Sequence, residues 1–348
     1  MKHPACVDMS GTDGFDEIID VRSPAEFALD HLPGACNCPV LDDAERARVG
    51  TLYKSSPFEA RKMGAALVAN NIAQHLQAHF SDRDRNWRPL VYCWRGGKRS
   101  GSMAHVLREV GWEAATLDGG YQSYRRFVVM QLAELPPRFD FRVVCGPTGS
   151  GKSHLLSSIA SAGGQVLDLE ALARHRGSLL GGLPGETQPS QKMFESLIWK
   201  SLRGFDAARP VFVEAESRRI GTLRLPEALL SRMRESRCIS LCVPVAERVR
   251  FLLAEYRHLL DEPDWLAFRL QRLAALHSRQ TVDDWIARIE ARDWEALVSE
   301  LLATHYDPAY LRSLRYHYPL SADSLAVDVE RLDPDRLAEI SRALVDEA

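Results

Sequence analysis

Phe141-Arg-Val-Val-Cys145, followed by Gly146-Pro147-Thr148-Gly149-Ser150-Gly151-Lys152-Ser153 and then by His154 to Ser161, leaves this chain few ways to fold. The stretch reads as an apolar strand, a glycine-rich turn and a helix, in the order that the pattern G-x4-G-K-[ST] requires. The glycines let backbone N–H groups close on phosphate oxygens. Lys152 adds a point charge, and the Ser153 hydroxyl is placed to meet Mg²⁺. An α/β layer carrying a phosphate or diphosphate site is therefore expected. Which diphosphate it takes is left open.

The usual partner of such a turn is a strand ending in an acid that supports the metal. Val166-Leu-Asp168 is one candidate, and Val211-Phe-Val-Glu-Ala-Glu216 is the other. Glu214 and Glu216 alternate and so share one face. No long apolar run ends in Asp, so phosphate binding is better supported than nucleotide hydrolysis. Between these strands the glycine-punctuated basic loop Arg174-His175-Arg176-Gly-Ser178-Leu-Leu-Gly-Gly182 reads as a lid over phosphates or a prenyl-sized ligand, and a helix is expected from Pro189 to Phe205.

From Ser217 arginines accumulate, beginning with Arg218 and Arg219. They read either as a solvated face balanced by Glu227 and Glu235 or as a surface for phosphodiesters. A net charge of -3 does not advertise nucleic-acid binding, so such a partner has to be met by a local patch. From Ala246 onward the spacing of Trp285, Ile289, Trp294, Leu297 and Leu301 predicts helices with the aromatics in their core.

The first half is organised around Leu90-Val-Tyr92-Cys93-Trp94-Arg95-Gly96-Gly97-Lys98-Arg99-Ser100. An apolar strand runs into one cysteine, two glycines and three cations, and a helix is expected from Ser100 to Arg108. A thiol over turn N–H groups and at the positive end of a helix is favoured as thiolate, and the same turn is an anion cradle. Upstream, Glu17-Ile-Ile-Asp-Val21 predicts a strand. Ser23, Pro24 and Glu26 predict a capped helix. Ala114-Ala-Thr-Leu117 predicts another strand, closed by Asp118-Gly-Gly120. Glu134-Leu-Pro-Pro-Arg138 cannot continue a helix and marks a hinge. The expected division is 10–135, a linker at 136–140, and 141–348 with a helical C-terminal extension.

Seven scattered cysteines, an odd number, argue against a disulfide framework and for a reducing compartment. Cys36-Asn-Cys38 lacks the second ligand pair of a zinc site, and these thiols, with Cys6, Cys238 and Cys242, are expected to pack. No apolar leader follows Met1-Lys2-His3-Pro4 and no run approaches membrane-spanning length, so the expected location is the cytoplasm, with no membrane partner.

Asp20-Val-Arg22, Glu26-Phe27, His31-Leu-Pro-Gly-Ala35 and the strand-end cysteine loop together resemble a rhodanese domain over about residues 10–135. Rhodanese domains carry sulfur as a persulfide on the loop cysteine, which maps onto Cys93. The commonest loop of that family reads C-x4-R-S. Here Arg99-Ser100 comes one residue later, a spacing shared with rhodanese-like phosphatases, so that chemistry stays open from the loop alone.

The rhodanese-like half precedes a P-loop half containing His175-Arg-Gly-Ser178 and Gln188-Pro-Ser-Gln191, with Asp118-Gly-Gly-Tyr-Gln-Ser-Tyr-Arg-Arg126 between them. In this order the chain resembles the tRNA 2-selenouridine synthase family over nearly its whole length. The resemblance implies a two-step exchange on wobble 2-thiouridine of tRNAs for Lys, Glu and Gln. Geranyl diphosphate first alkylates the thiocarbonyl sulfur, and selenium from selenophosphate then replaces geranyl thiol. In this division of labour Gly146–Ser153 holds the diphosphate, with Mg²⁺ at Ser153 and Asp168, Glu214 or Glu216 as supporting acids. Cys93 carries selenium as a selenenyl sulfide, with Trp94–Ser100 as the donor's anion loop. Arg174, His175, Arg176, Ser178, Arg218 and Arg219 are the implied tRNA or lid contacts. No tightly bound cofactor is implied, and a selenophosphate-supplying enzyme is an implied partner. The rival readings are a rhodanese sulfurtransferase fused to an ATP-dependent small-molecule kinase, a phosphatase, and a nucleotide-gated tRNA-binding adaptor.

Overall fold

A computed structural model describes residues 6–177, 186–318 and 324–347. Two units emerge: Met1–Leu132 together with Pro189–Lys200, and Ala133–Gln188 together with Ser201–Ala348.

In the first unit, strands β1 (Cys6–Val7), β2 (Glu17–Asp20), β3 (Cys36–Asn37), β4 (Pro89–Tyr92) and β5 (Ala115–Leu117) pair in parallel in the order β1-β5-β4-β2-β3. Central β4 is covered on both faces, and Leu90, Val91 and Tyr92 have no exposed surface. That is why the segment reads as a continuous apolar run rather than an alternating one. Parallel pairing needs crossovers. They run through α1 (Pro24–Leu29), α2 (Asp43–Ser55), α3 (Pro57–Ala78) and α4 (Lys98–Val110), and α5 (Gly120–Glu134) follows the last strand, β5. Ile19, Val21, Ile72, Phe80, Met103 and Leu107 close one core. Each such side chain contributes about 1.5–3 kcal/mol when fully buried, and this lets strands of two to four residues hold.

Two local expectations are met. Glu26 accepts from the Ser23 N–H at 3.2 Å at the start of α1. The chain turns out of α5 at Glu134 into a short 3-10 turn, Pro136–Arg138. The helix after the cysteine begins earlier than expected, at Lys98, so Lys98, Arg99 and Ser100 form its first turn.

The second unit repeats the plan. Strands β6 (Phe141–Cys145), β7 (Gln165–Leu167), β8 (Val211–Glu214), β11 (Arg237–Cys242) and β12 (Leu325–Asp328) form a parallel sheet in the order β12-β11-β6-β8-β7, and β9 (Arg219–Ile220) and β10 (Leu223–Arg224) make a separate antiparallel ribbon. Helices α6 (Lys152–Ser161), α7 (Leu169–Ala173), α9 (Glu227–Arg234) and α10 (Val245–Glu255) belong to it, whereas α8 (Gln191–Arg203), between α7 and α9 in the chain, lies mostly in the first unit. Then come α11 (Arg257–Leu260), α12 (Pro263–Gln271), α13 (Arg279–Glu290), α14 (Trp294–Leu301), α15 (Asp307–His317) and α16 (Pro334–Asp346). Leu266, Trp285, Ile289, Leu297 and Leu301 form one buried cluster, so Trp285 is core as read, and Trp294 packs against it partly buried.

Three expectations are corrected. The C-terminal third is not helical throughout, because Leu325–Asp328 adds an edge strand beside β11; four residues are too few to show a period. Cys6 and Cys242 are exposed rather than packed, whereas Cys38 and Cys238 are buried. Pro189–Lys200 groups with the first unit although the sequence division placed it in the second. Within that unit Trp199 meets Tyr124 and Phe127 at ring distances of 5.7 and 5.9 Å, and the Ser196 hydroxyl donates to Asp30 at 2.8 Å. No helix among the described residues is long and apolar enough to cross a membrane.

Candidate functional site

Each sheet delivers one motif to the carboxyl end of its central strand, where ligands of parallel α/β sheets gather. In the first unit the motif is Cys93, directly after β4 and buried. The Gly97 N–H donates to its sulfur at 3.3 Å and the Ser100 hydroxyl at 3.2 Å. Burial pushes the thiol up. The Ser100 hydroxyl and the N–H groups of Ser100, Gly97 and Arg95 outweigh it, and the thiol is held below its ordinary value. Trp94 stacks on Tyr121 with centroids 5.2 Å apart. Cys93, Trp94, Arg95, Gly97, Lys98 and Arg99 border a cavity of about 330 Å³.

The loop is braced from behind. Tyr121 N–H donates to the Cys93 carbonyl at 2.8 Å and Gln122 N–H to the Trp94 carbonyl at 3.1 Å. Gly120 sits at φ +56°, and a Cβ there would lie 2.3 Å from the Cys93 carbonyl oxygen and 2.4 Å from Gly96 N; Gly96 itself stands at φ +65°. Glycine is required at this crossing of two backbones. Arg99 differs from the other loop cations: it pairs with Glu26 at 3.0 Å, and Glu26 also holds Arg46. Arg95 and Lys98 are exposed at the mouth.

Sequence reasoning did not find the polar network beneath. Arg22 and Asp20 form a buried ion pair at 2.6 Å, and the guanidinium also donates to the Asp30 carbonyl and lies 4.0 Å from the centre of the Tyr121 ring. Tyr121 donates to Asp30 at 2.7 Å. The signal was present in Asp20-Val-Arg22, since charges flanking a buried strand need partners.

In the second unit Gly146–Ser153 turns from β6 into α6. Lys152 Nζ donates to the Gly146 carbonyl at 2.7 Å, and Gly146 N–H to the Tyr310 hydroxyl at 2.7 Å. Gly149 stands at φ +81°, hard against Leu252. Pro147 is half-buried. Thr148, Gly149, Ser150, Gly151, Lys152 and Ser153 line a cavity of about 320 Å³. Arg248, absent from the expected set, donates to the Thr148 carbonyl at 2.8 Å and forms a two-pronged pair with Asp307.

The expected acids come together with a fourth, Glu170. Ser153 donates to Glu170 at 2.9 Å, and Glu170 N–H donates to Glu214 at 2.7 Å. The other Glu214 oxygen is buried without a hydrogen-bond partner. Burial, then Asp168, Glu216 and Glu170, hold Glu214 well above the carboxylate range. Burial and Glu170 push Glu216 up to about 8. Asp168 is raised by burial, and it caps α7 by accepting from Ala171 N–H at 2.8 Å. β8 ends at Glu214, so Glu216 lies in the continuation rather than in the strand. Among the described residues no three His, Cys, Asp or Glu side chains are placed to hold a metal by themselves. Ser153 with Glu170 suits an ion that takes its remaining oxygens from phosphate and water.

Of the basic residues, His175 and Arg176 line the cavity at the Gly146–Ser153 loop, and Arg176 pairs with Glu255 at 3.3 Å. Arg174 is exposed in the left-handed cap of α7. Arg218 pairs with Glu227 at 3.4 Å, as the solvated-face reading expects, and Arg219 is exposed on β9. Ser178 lies outside the described residues.

Comparison with known proteins follows this division. Residues 5–126 match the rhodanese-like domain family and residues 139–267 match the tRNA 2-selenouridine synthase AAA domain. A tRNA 2-selenouridine synthase of Nitrosomonas europaea is 37% identical over 281 residues, 79% of this chain and 70% of the relative. One of Bdellovibrio bacteriovorus is 33% identical over 339 residues, 85% and 88% of the two chains. One of Marinobacter nauticus is 32% identical over 323 residues, 84% and 87%.

Proposed function

The chain belongs to the tRNA 2-selenouridine synthase family and is an enzyme of tRNA modification, and on that premise we propose that it converts wobble 2-thiouridine to 2-selenouridine in tRNAs for Lys, Glu and Gln through an S-geranyl intermediate. The thiocarbonyl sulfur attacks C1 of geranyl diphosphate, the carbon–oxygen bond breaks, and diphosphate leaves. Selenophosphate then attacks C2 of the base through its selenium and geranyl thiol leaves, and water cleaves the phosphorus–selenium bond, releasing phosphate and the 2-selenouridine.

The observation that carries this reading is the thiolate-favouring setting of Cys93, with the Ser100 hydroxyl at 3.2 Å and Gly97 N–H at 3.3 Å from the sulfur. Such a sulfur suits a nucleophile in the selenium-transfer step, and exposed Arg95 and Lys98 suit a phosphate-bearing donor. The N–H groups of Gly146–Ser153 and the Lys152 ammonium stabilise the charge that develops on departing diphosphate. Ser153 and Glu170 would hold Mg²⁺, and the ion would supply further neutralisation of the diphosphate charge. Arg218, Arg219 and the 174–176 segment supply phosphodiester contacts. A selenophosphate-producing enzyme is the upstream partner, and the cytoplasm is where the reaction takes place.

Mass spectrometry of nucleosides from thiolated tRNA incubated with the protein, geranyl diphosphate and selenophosphate tests the reading. Cys93→Ala abolishes selenation and leaves S-geranylation. Full selenouridine formation by that variant would remove Cys93 from its role. Lys152→Ala lowers S-geranylation at least tenfold, and undiminished geranyl-tRNA would place the diphosphate elsewhere.

A further inference from the structure

A second cavity, of about 70 Å³, opens beside the phosphate cavity in the same unit, and its chemistry is the opposite. The cavity at the loop is lined by Thr148–Ser153, His175, Arg176 and the acids Asp168, Glu170 and Glu255, with Phe251 and Leu252 beside them. The second is walled by leucines of α10, α11, α12 and α14, by Val298, and by Leu302, Tyr256 and Tyr306. Thr148, Leu252 and Tyr256 line both, so the two adjoin at one edge of the Gly146–Ser153 loop. Leu252 packs closely against that edge, where a Cβ on Gly149 would come within 2.8 Å of it.

A ligand anchored by phosphate oxygens in the loop therefore has an apolar recess for whatever its phosphate is esterified to. A nucleoside suits the recess poorly. Its base and ribose hydroxyls need hydrogen-bond partners once desolvated, and apart from Thr148 and two tyrosines the wall has no side-chain groups to give them.

We propose that this recess is the tail site for the hydrocarbon of an allylic diphosphate, and that Val298 and Leu260 in its wall set the tail length accepted. The assignment rests on the prenyl-transfer reading above and adds to it the residues that distinguish one chain length from another. Val298 and Leu260 are half-buried, so they tolerate substitution better than fully buried Leu297 and Leu301, which belong to the helical core.

The test uses the full chain with three probes: geranyl thiolodiphosphate, inorganic diphosphate and ATP, each titrated calorimetrically. Wild type binds the geranyl probe at least tenfold more tightly than inorganic diphosphate. Val298→Phe, which fills the recess, brings that ratio to within twofold. Inorganic diphosphate, which has no tail, reports whether the loop is still folded. Leu260→Ala, which enlarges the recess, shifts transfer onto thiolated tRNA from geranyl toward farnesyl diphosphate at least fivefold. An unchanged geranyl advantage in Val298→Phe overturns the tail site, as does ATP binding more tightly than the geranyl probe and being weakened by the same substitution. These failures are separable from failure of the functional reading. Wild-type geranyl transfer with a KM unaffected by Val298→Phe leaves the function standing and removes the tail site, whereas wild type that transfers no prenyl group removes the function itself.

Discussion

Cys93 is the meeting point of two opposed influences. Its burial disfavours a charged sulfur, while a hydroxyl and three backbone N–H groups favour it, and the second set prevails. The sign of a test follows directly. A lowered pKa means that the reactive thiolate is already present at a pH where an ordinary thiol is protonated. The iodoacetamide alkylation rate of wild type should thus reach half its plateau below the pH of a free cysteine. In Ser100→Ala the burial remains and the largest stabilising partner is gone, so the midpoint moves up. A midpoint that stays in place would show that the hydroxyl does not hold the thiolate. The sequence put Arg99 in the anion cradle together with Arg95 and Lys98, because neighbours along a chain look equivalent. In the folded unit Arg99 is tied to Glu26, a residue legible from sequence only as the cap of another helix. Two motifs read separately turn out to share one carboxylate, and no local spacing carries that information.

The cysteine loop and the Asp118-Gly-Gly120 turn were each legible as turns, since glycine after a strand has a local cause. What was not legible is that each needs the other, with Gly120 and Gly96 crossing backbone to backbone. Gly120→Ala should expose this dependence. A left-handed non-glycine residue costs about 1–2 kcal/mol, and the new methyl also meets carbonyl and amide atoms that cannot rotate aside. The expected loss of at least about 2 kcal/mol lowers Tm by several degrees, and Cys93 alkylation should change as its loop is displaced. Gly101→Ala is the matched control. It lies inside α4 with nothing within 4 Å of the new Cβ, so it should be neutral or stabilising by up to about 1 kcal/mol. Equal melting of the two variants would refute the interlock. The acid group around Ser153 shows the same division. Asp168, Glu214 and Glu216 announce themselves at strand ends, whereas Glu170 looks like any residue in the first turn of a helix and gains its place only when α7 folds back over the loop.

Both sheets place a reactive loop after their central strand, and this architecture was legible because a glycine turn between strand and helix declares its own surroundings. The membership of residues 189–200 was not. Their apolar stripe, Phe194, Ile198 and Trp199, shows that the helix buries one face, yet a stripe does not name its partner, and chain order suggested the nearer sheet. In the structure the stripe belongs with the first unit, where Trp199 meets Tyr124 and Phe127, Ser196 meets Asp30, and Arg125 pairs with Glu195. Asp30 also receives Tyr121, whose N–H braces the cysteine loop. A fragment ending at Arg138 should consequently be an incomplete unit, although it contains every strand of its sheet. Without Trp199 it exposes the faces of Tyr124 and Phe127, and without Ser196 it leaves a buried Asp30 oxygen short of a donor, a loss worth about 1–3 kcal/mol. The fragment should melt below the same unit in the full chain and bind a hydrophobic dye. A synthetic peptide of residues 189–203 should raise its Tm in a concentration-dependent way, as any ligand of the native state does. The same peptide with Trp199→Ala should not. A fragment that melts as it does in the full chain and ignores the peptide would return residues 189–200 to the second half.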